Sequence, residues 1–245
     1  MTASRAAWLL PAALLAAWPT DARAESSSKS IYELSAAVDL PILGLGLAGL
    51  TGAFLETEPA ACLPVCDPPE GLNALDRLAL GHYSPTAHRV ADALVLTLAI
   101  SQALWDIIDT RSPVWFEDMV VHGEALALTQ GLTQVVKFAV GRTAPFVYDE
   151  RVPLEERMGA DASRSFWSGH TATAFASATS YSITYWLRHP RDPWRFTVLA
   201  SNLAAAVAVG FLKINAGYHY PTDIAAGALA GASIGALVPL LHRAF

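Results

Sequence analysis

The stretch Ser165-Phe166-Trp167-Ser168-Gly169-His170-Thr171 decides the fold, because a polar turn meets a long apolar run there. The run from Thr171 to Leu187 predicts a buried helix, and the turn supplies its N-terminus. The first N–H groups of a helix have no partner within it, so they can bind an anion. His170 can exchange a proton near neutral pH. A capping serine, a flexible glycine and a histidine without function fit the turn equally well, so the remaining chain decides.

The composition is too apolar for an ordinary soluble domain. The chain has 245 residues, of which 53% are hydrophobic and 16% are charged, and its mean hydropathy is +0.35. Soluble domains carry about 25% charged residues. A membrane protein with several spans is therefore expected. The formal charge of -6 argues against nucleic acid as a partner.

The N-terminus has the pattern of a secretory signal peptide. Arg5 precedes a short apolar run from Ala6 to Trp18, and Ala22-Arg23-Ala24 provides a small-residue cleavage site. We therefore expect residues 1–24 to be removed and the mature chain to begin near Glu25. An uncleaved membrane anchor is the alternative, although the run is short for a span.

Residues 25–87 form the first predicted unit, ahead of a core at 88–245. The glycine-rich run from Val38 to Leu55 predicts the first helix, because small residues suit close packing in membranes. Cys62 and Cys66 lie in the polar loop after it, where a small disulfide or two free thiols fits the spacing. Neither a histidine nor a further cysteine accompanies them at the spacing of a metal site.

A short amphipathic helix is predicted from Gly71 to Leu80, at the membrane interface. Apolar residues share one face of this helix, and polar residues share the other. The apolar face comprises Leu72, Leu75, Leu78 and Ala79, and the polar face comprises Asn73, Asp76 and Arg77.

The core contains five further apolar runs that predict membrane-spanning helices. These runs are Val90–Ile108, Val114–Val140, Thr171–Leu187, Phe196–Ile214 and Thr222–Leu241. Together with the first run they predict an all-α, polytopic membrane bundle of about five to six spans. Gly227, Gly231 and Gly235 repeat at GxxxG-like spacing in the last run, which predicts close packing against a neighbouring helix.

The arginines predict the orientation of the bundle. The short turn from Arg188 to Arg195 is basic and should be cytoplasmic. The charged loop Gly141–Ser165 and the segment Lys213–Asp223 then lie outside. A cleaved signal peptide conflicts with this orientation, because it would start the chain outside and reverse every later span. Either the run Val38–Leu55 does not fully span, or the leader is retained.

Three separated segments converge on the outer side of this predicted bundle. They are the helix end Lys137–Pro145, the helix start Ser168–His170 and the turn Lys213–Asp223. Each segment alone fits a structural role, since lysines extend from helix ends, serines cap helices and aspartates complement helix dipoles. All three at helix ends on one side instead predict a phosphate site.

The residue types in these segments fit phosphoryl transfer through a histidine. His219 would attack phosphorus as a neutral imidazole, and Asp223, one helical turn later, would hold its other nitrogen. His170 would protonate the leaving oxygen. The predicted phosphate ligands are the side chains of Lys137, Arg142 and Lys213 and the amides at Ser168 and Gly169. We expect no metal and no cofactor, because no cluster of carboxylates or histidines has ligand spacing.

The order of these segments resembles the type 2 phosphatidic acid phosphatase (PAP2) superfamily, which includes vanadium haloperoxidases and bacterial acid phosphatases. Its fingerprint is Lys-x6-Arg-Pro, then Pro-Ser-Gly-His, then Ser-Arg-x5-His-x3-Asp, and the likeness extends over roughly Val114 to Leu241. The matching positions are Lys137, Pro145, Ser168, Gly169, His170, His219 and Asp223. The resemblance implies a helical bundle in which His219 is the nucleophile, His170 is the acid and Asp223 orients His219.

Three positions depart from the fingerprint. Ala144 stands where the superfamily has arginine, and Arg142 is the only arginine in that segment. Trp167 replaces a proline. Lys213 replaces an arginine, which keeps the charge but loses the bidentate fork. Three cations remain if Arg142 binds the phosphate instead of the missing arginine, which favours an active enzyme over an inactive relative.

These patterns predict a membrane phosphatase that hydrolyses a lipid phosphate or pyrophosphate monoester through a phosphohistidine. The resemblance implies lipids such as phosphatidate, phosphatidylglycerophosphate, undecaprenyl pyrophosphate or lipid A, and the sequence does not choose among them. We expect a multi-pass protein of a bacterial inner membrane with its site facing the periplasm, whose partners are the membrane and the phosphorylated lipid. The alternatives are an impaired relative that only binds lipid phosphate and a vanadate-dependent peroxidase.

Overall fold

The computed structural model describes residues 30–51, 66–110 and 114–244. The regular structure of those residues is helical, apart from one isolated bridge between Tyr32 and Arg243. The α-helices are α1 Ala36–Leu50, α2 Pro85–Thr110, α3 Trp115–Val140, α4 Leu154–Arg157, α5 Gly169–Arg188, α6 Trp194–Asn215 and α7 Pro221–Leu241. Single 3-10 turns lie at Asp76–Ala79, Pro145–Tyr148 and Ala160–Ser163. The all-α prediction is confirmed.

Two predictions near the N-terminus fall on residues outside the described part of the chain. These are the signal peptide at 1–24 and the pairing of Cys62. The other cysteine, Cys66, is buried beside Ala144 and Phe146, and its thiol is not free.

Among residues 30–51, 66–110 and 114–244, three helices are long and apolar enough to cross a membrane by length and composition. They are Pro85–Ile108, Trp194–Asn215 and Pro221–Leu241. Helices α3 and α5 have 26 and 20 residues, but polar side chains such as Asp118, Glu124 and Ser180 are buried along them. Polar groups in a span face the interior of the bundle, so α3 and α5 form its inner part. Hydropathy therefore identifies fewer spans than the predicted five to six.

Helix α5 is the central helix, because it packs against α2, α3, α6 and α7. Its N-cap is Ser168, whose hydroxyl oxygen accepts a hydrogen bond from the Thr171 amide at 3.4 Å. The predicted serine cap is thus confirmed. The buried residues of α5 are mainly alanine, serine and threonine. Such small side chains let four helices approach α5, and those helices fix the position of its N-terminus.

Helices α5 and α7 run parallel, with their backbones in close contact. A Cβ atom at Gly231 would lie 2.0 Å from the carbonyl oxygen of Ala172, and one at Gly227 would lie 2.6 Å from that of Ser168. Gly235 makes the same kind of contact one turn further along. The close packing predicted from the GxxxG-like spacing is confirmed. It brings the start of α5 directly against the first turns of α7.

Helix α1 packs along α3 and begins at the end of the bundle where α7 finishes. The amide of Glu33 donates to the carbonyl of His242 at 2.8 Å. The hydroxyl of Tyr32 lies 2.8 Å from that of Thr184, near the end of α5. The segment before α1 therefore lies at the same end of the bundle as the basic turn at 188–195.

The segment from Gly71 to Leu80 is not the amphipathic helix that the sequence predicts. The 3-10 turn Asp76–Ala79 forms there instead. Leu75 and Leu78, predicted on the apolar face, are 61% and 62% exposed, whereas Asp76 is 1% exposed. Asp76 is buried because it pairs with an arginine from a distant segment. Local periodicity carries no information about such a contact.

The glycine contact between α5 and α7 leads to a stability prediction. We expect Gly231→Ala to lower the free energy of unfolding by about 1–3 kcal/mol, because the new methyl group meets backbone rather than a movable side chain. The matched control is Gly123→Ala in α3, where a Cβ meets nothing within 4 Å. Thermal unfolding of both variants in detergent measures the difference. Equal midpoints for the two variants would contradict the close approach.

Candidate active site

The predicted segments meet at the end of the bundle where α5 and α7 begin and α3 and α6 end. The amide of Ser168 donates to the backbone carbonyl of Asp223 at 3.1 Å, which joins the second segment to the third. The amide of Ser165, three residues before the second segment, donates to the carbonyl of Arg142 in the first segment at 2.9 Å. Side chains from all three segments therefore surround one region.

His219 is fixed as a neutral nucleophile would need to be. It lies in the turn between α6 and α7, where Gly217 adopts a φ of 82°. Its Nδ1 is 2.7 Å from the carbonyl oxygen of Ser165, so Nδ1 carries the hydrogen and donates it. The lone pair then lies on Nε2, the other ring nitrogen. Asp223 Oδ2 is 3.7 Å from Nδ1, which is too long for a hydrogen bond.

The surroundings of His219 also favour its neutral form. Burial lowers the pKa of His219 below its usual value. The carboxylate of Asp223 opposes this shift, and the positive charges of Lys137 and Lys213 add to it. The imidazole is therefore uncharged at neutral pH. The effect of both lysines on one histidine shows that the first and third segments converge on it.

The carboxylate of Asp223 is a buried acceptor shared by several donors. Its Oδ2 accepts the amide of Tyr220 at 2.9 Å and the hydroxyl of Ser165. Its Oδ1 accepts a hydrogen bond from Nη1 of Arg142. Ser165 thus contacts both Asp223 and His219, through its side chain and its carbonyl respectively. The structure thus links Asp223 to His219 through Ser165, where the sequence predicts a direct hydrogen bond.

Arg142 is held between two carboxylates. Its Nη2 donates to Asp76 at 2.7 Å, and its Nη1 donates to Asp223 and, at 2.9 Å, to Thr222. The guanidinium carbon also lies 4.0 Å from the ring centre of Tyr220. Burial raises the pKa of Asp76, but hydrogen bonds from Arg142 and Thr222 outweigh it and hold that pKa below its usual value. Arg142 is therefore engaged by carboxylates, whereas the sequence predicts it as a phosphate ligand.

A fourth element, the start of α2, supplies residues that the sequence did not predict. Asp92 Oδ1 lies 2.7 Å from Lys213 Nζ and 2.9 Å from His170 Nε2. His88 Nδ1 lies 3.1 Å from the same ammonium group, and its ring stacks on Tyr218 with centroids 4.1 Å apart. A polar pair one turn apart in an apolar span is itself a functional signal, and it could have identified these residues.

The remaining predicted ligands lie around the start of α5. Lys137 donates to the carbonyl of Arg164. A Cβ at Gly169 would lie 3.0 Å from Thr133 and 3.7 Å from Cε of Lys137, so glycine lets α3 approach the helix start closely. The amide of Ser168 already donates to the backbone carbonyl of Asp223, whereas the sequence predicts it as a phosphate ligand. The amide of Gly169 lies in the first turn of α5, so the positive end of the helix dipole faces the same region.

These features define an all-α protein with histidines, lysines and carboxylates gathered at one end of its bundle. The sequence profile of the PAP2 superfamily matches residues 118–245, which is just over half of the chain. The chain belongs to the PAP2 superfamily. The resemblance drawn from the three motifs is thereby confirmed.

Two known proteins are similar to parts of this chain. A lipid A 1-phosphatase from Porphyromonas gingivalis is 30% identical over 127 residues, which are 52% of this chain but 24% of that protein. The match thus spans about a quarter of the relative's length. The crystal structure of a transmembrane PAP2 type phosphatidylglycerolphosphate phosphatase from Bacillus subtilis matches with a TM-score of 0.50. The match has 18% identity and covers 83% of this chain and 95% of the other, so it concerns the fold.

The pairing of Arg142 leads to a second prediction. Arg142→Lys should destabilise the protein by about 1–3 kcal/mol, because a lysine cannot hold two buried carboxylates in one plane. Arg77→Lys is the control, since Arg77 is exposed and donates to the backbone carbonyls of Leu72 and Glu70. Thermal unfolding in detergent compares the two. If Arg142→Lys is no worse than Arg77→Lys, the carboxylate pair does not need the guanidinium.

Proposed function

We propose that this chain is a membrane phosphatase that hydrolyses a lipid phosphate or pyrophosphate monoester through a phosphohistidine. The observation that carries the proposal is the Ser165 carbonyl at Nδ1 of His219, which leaves the lone pair of Nε2 for attack on phosphorus. The names of the P. gingivalis relative and the B. subtilis neighbour, both lipid phosphatases, support the same class of substrate.

The residues around His219 fit two chemical steps. Nε2 of His219 would attack phosphorus while the bond to the lipid oxygen breaks, and His170 would give its proton to that oxygen. Water would then attack phosphorus, the P–N bond would break and His170 would take the proton from water, which releases inorganic phosphate. Asp92 supports this role because, at 2.9 Å, it favours a proton on Nε2 of His170.

The phosphate oxygens would be held by Lys137, Lys213 and the start of α5. Arg142 takes a different role in this proposal, because it is bound to Asp76 and Asp223. We assign it to positioning Asp223, and through Ser165 the nucleophile. No metal or cofactor has a part in these steps.

A protein that binds lipid phosphate without hydrolysing it is the second candidate. One observation favours it: Ala144 replaces the arginine of the superfamily's first motif, and Arg142 is engaged elsewhere. The phosphate site then depends on two lysines. The assay described next separates the two candidates.

The catalytic prediction is loss of phosphate release in the histidine variants. We expect His219→Gln to abolish release of phosphate from lipid phosphates in detergent micelles and His170→Gln to lower it by about 10²–10⁴-fold. His82→Gln should behave as wild type, because His82 is exposed. Release by His219→Gln equal to wild type would reject the nucleophile. No release by well-folded wild-type protein on any lipid phosphate would favour the binding protein.

We also propose that the protein lies in a bacterial inner membrane with His219 on the periplasmic side. The basic turn at 188–195 supports this, because it lies at the end of α5 opposite to His170. In this orientation residues 30–35 and the end of α7 lie on the cytoplasmic side together, because the amide of Glu33 donates to the carbonyl of His242.

Reporter fusions test this orientation. Green fluorescent protein fused after Phe245 should fluoresce, and alkaline phosphatase fused there should be inactive, because these reporters work on opposite sides of the membrane. A fusion of each reporter within the loop at 150–160 is the control and should give the reverse result. An active alkaline phosphatase after Phe245 would place the site on the cytoplasmic side.

A further inference from the structure

A second group of charged residues lies at the end of the bundle opposite to His219. It combines Asp39 of α1, Glu124 of α3 and His242, which directly follows α7. His242 Nε2 is 2.9 Å from Asp39 Oδ1 and 3.0 Å from Glu124 Oε2. The side chains of Glu124 and His242 are 1% and 0% exposed, and that of Asp39 is 19% exposed.

The hydrogen bond at Nδ1 of His242 determines whether Nε2 carries a lone pair in the neutral ring. Its Nδ1 is 2.8 Å from the carbonyl oxygen of Val238, which only accepts, so Nδ1 carries a hydrogen. In the neutral ring the lone pair of Nε2 then points at two carboxylate oxygens, which repel it. A proton or a cation must therefore lie between them: a second proton on the imidazole, a proton on one carboxyl group, or a bound metal ion.

The charge of the group favours the cation. Two carboxylates and one imidazolium leave a buried net negative charge, which is costly in an apolar interior. Within the described part of the chain, no lysine or arginine forms an ion pair with Asp39 or Glu124. Both oxygens of Glu124 are buried there without a hydrogen-bond partner. His242 Nε2 is near Oε2 but makes no well-directed hydrogen bond to it, and a divalent cation between them would neutralise both carboxylates.

We propose that Asp39, Glu124 and His242 bind a divalent transition-metal ion, with Zn²⁺ as the best fit to one imidazole and two carboxylates. At Zn–N and Zn–O distances of about 2.0–2.2 Å, tetrahedral ligand atoms lie about 3.3 Å apart. The two separations from His242 Nε2 are slightly shorter, and all three ligand atoms lie within 4.8 Å of one another, so side-chain rotations admit the ion. The Val238 carbonyl supplies the outer hydrogen bond that metal-binding histidines need.

The site joins three helices that are distant in sequence. Its ligands come from α1, α3 and the end of α7, so a bound ion would fasten α1 to the bundle. The partly exposed Asp39 offers the route by which the ion and its water enter. This role is structural and does not depend on phosphatase activity at the other end of the bundle.

The test uses the full-length protein in detergent, stripped with a chelator and then given Zn²⁺ alone. We expect wild-type protein to retain one zinc ion per chain after desalting, measured by elemental analysis, and to unfold at a higher temperature with zinc than without it. Glu124→Gln and His242→Gln should bind zinc at least about tenfold more weakly and lose the thermal shift. Asp39→Asn, at the least buried ligand, is a third variant in case the others fail to fold.

Two controls locate the ion. His170→Gln and His82→Gln should keep the zinc and the thermal shift, because neither histidine belongs to the group. Loss of zinc in His170→Gln alone would place the ion in the candidate active site and overturn the proposal. Wild-type protein that binds no zinc would overturn the proposal and leave a shared proton between the imidazole and the carboxyl groups, and variants of the group that bind zinc as tightly as wild type would overturn it as well.

Discussion

The buried carboxylate of Asp223 is the interaction on which the rest of the site depends. It accepts hydrogen bonds from Arg142, from Ser165 and from the amide of Tyr220. Arg142 belongs to the first segment of the fingerprint and Tyr220 to the third, and Ser165 lies three residues before the second. A buried carboxylate without enough donors is unstable, so the segments must come together for the chain to fold at this end. The nucleophile His219 is placed by the same set of contacts, because Ser165 binds Asp223 with its hydroxyl and His219 with its carbonyl.

The packing of α5 on α7 holds the helices in the positions that these contacts around Asp223 need. Three glycines on α7 let the backbones approach, and the first of them, Gly227, lies against Ser168. The amide of Ser168 in turn donates to the carbonyl of Asp223. The helix that carries His170 is therefore held in one register against the helix that begins beside His219. A larger residue at the glycines would separate two catalytic groups that lie about 50 residues apart in sequence, without touching either group.

Much of the fold was predictable, because it depends on local patterns. Apolar runs predicted the long helices, glycine spacing predicted the α5–α7 contact, and the three motifs predicted which segments meet. The contacts of Asp76 with Arg142, and of His88 and Asp92 with Lys213, were not predictable in the same way, because these partners lie on distant segments. Asp76 even reverses the local pattern, since it is buried while Leu75 beside it is exposed. Periodicity describes which face of an element is apolar, and it cannot show that a distant arginine turns a polar residue inward.

The charges around the site are balanced before any phosphate arrives. Arg142 lies between Asp76 and Asp223, and Lys213 is paired with Asp92. A phosphate must therefore compete with a carboxylate for Lys213. Asp76 and Asp223 cannot give way, because both are buried and bound by several donors. Asp92 can, because its side chain is 42% exposed and water can solvate it once it has turned away. Under the proposed function, entry of the phosphate would then move one side chain of α2, while His219 and its supporting contacts keep their places.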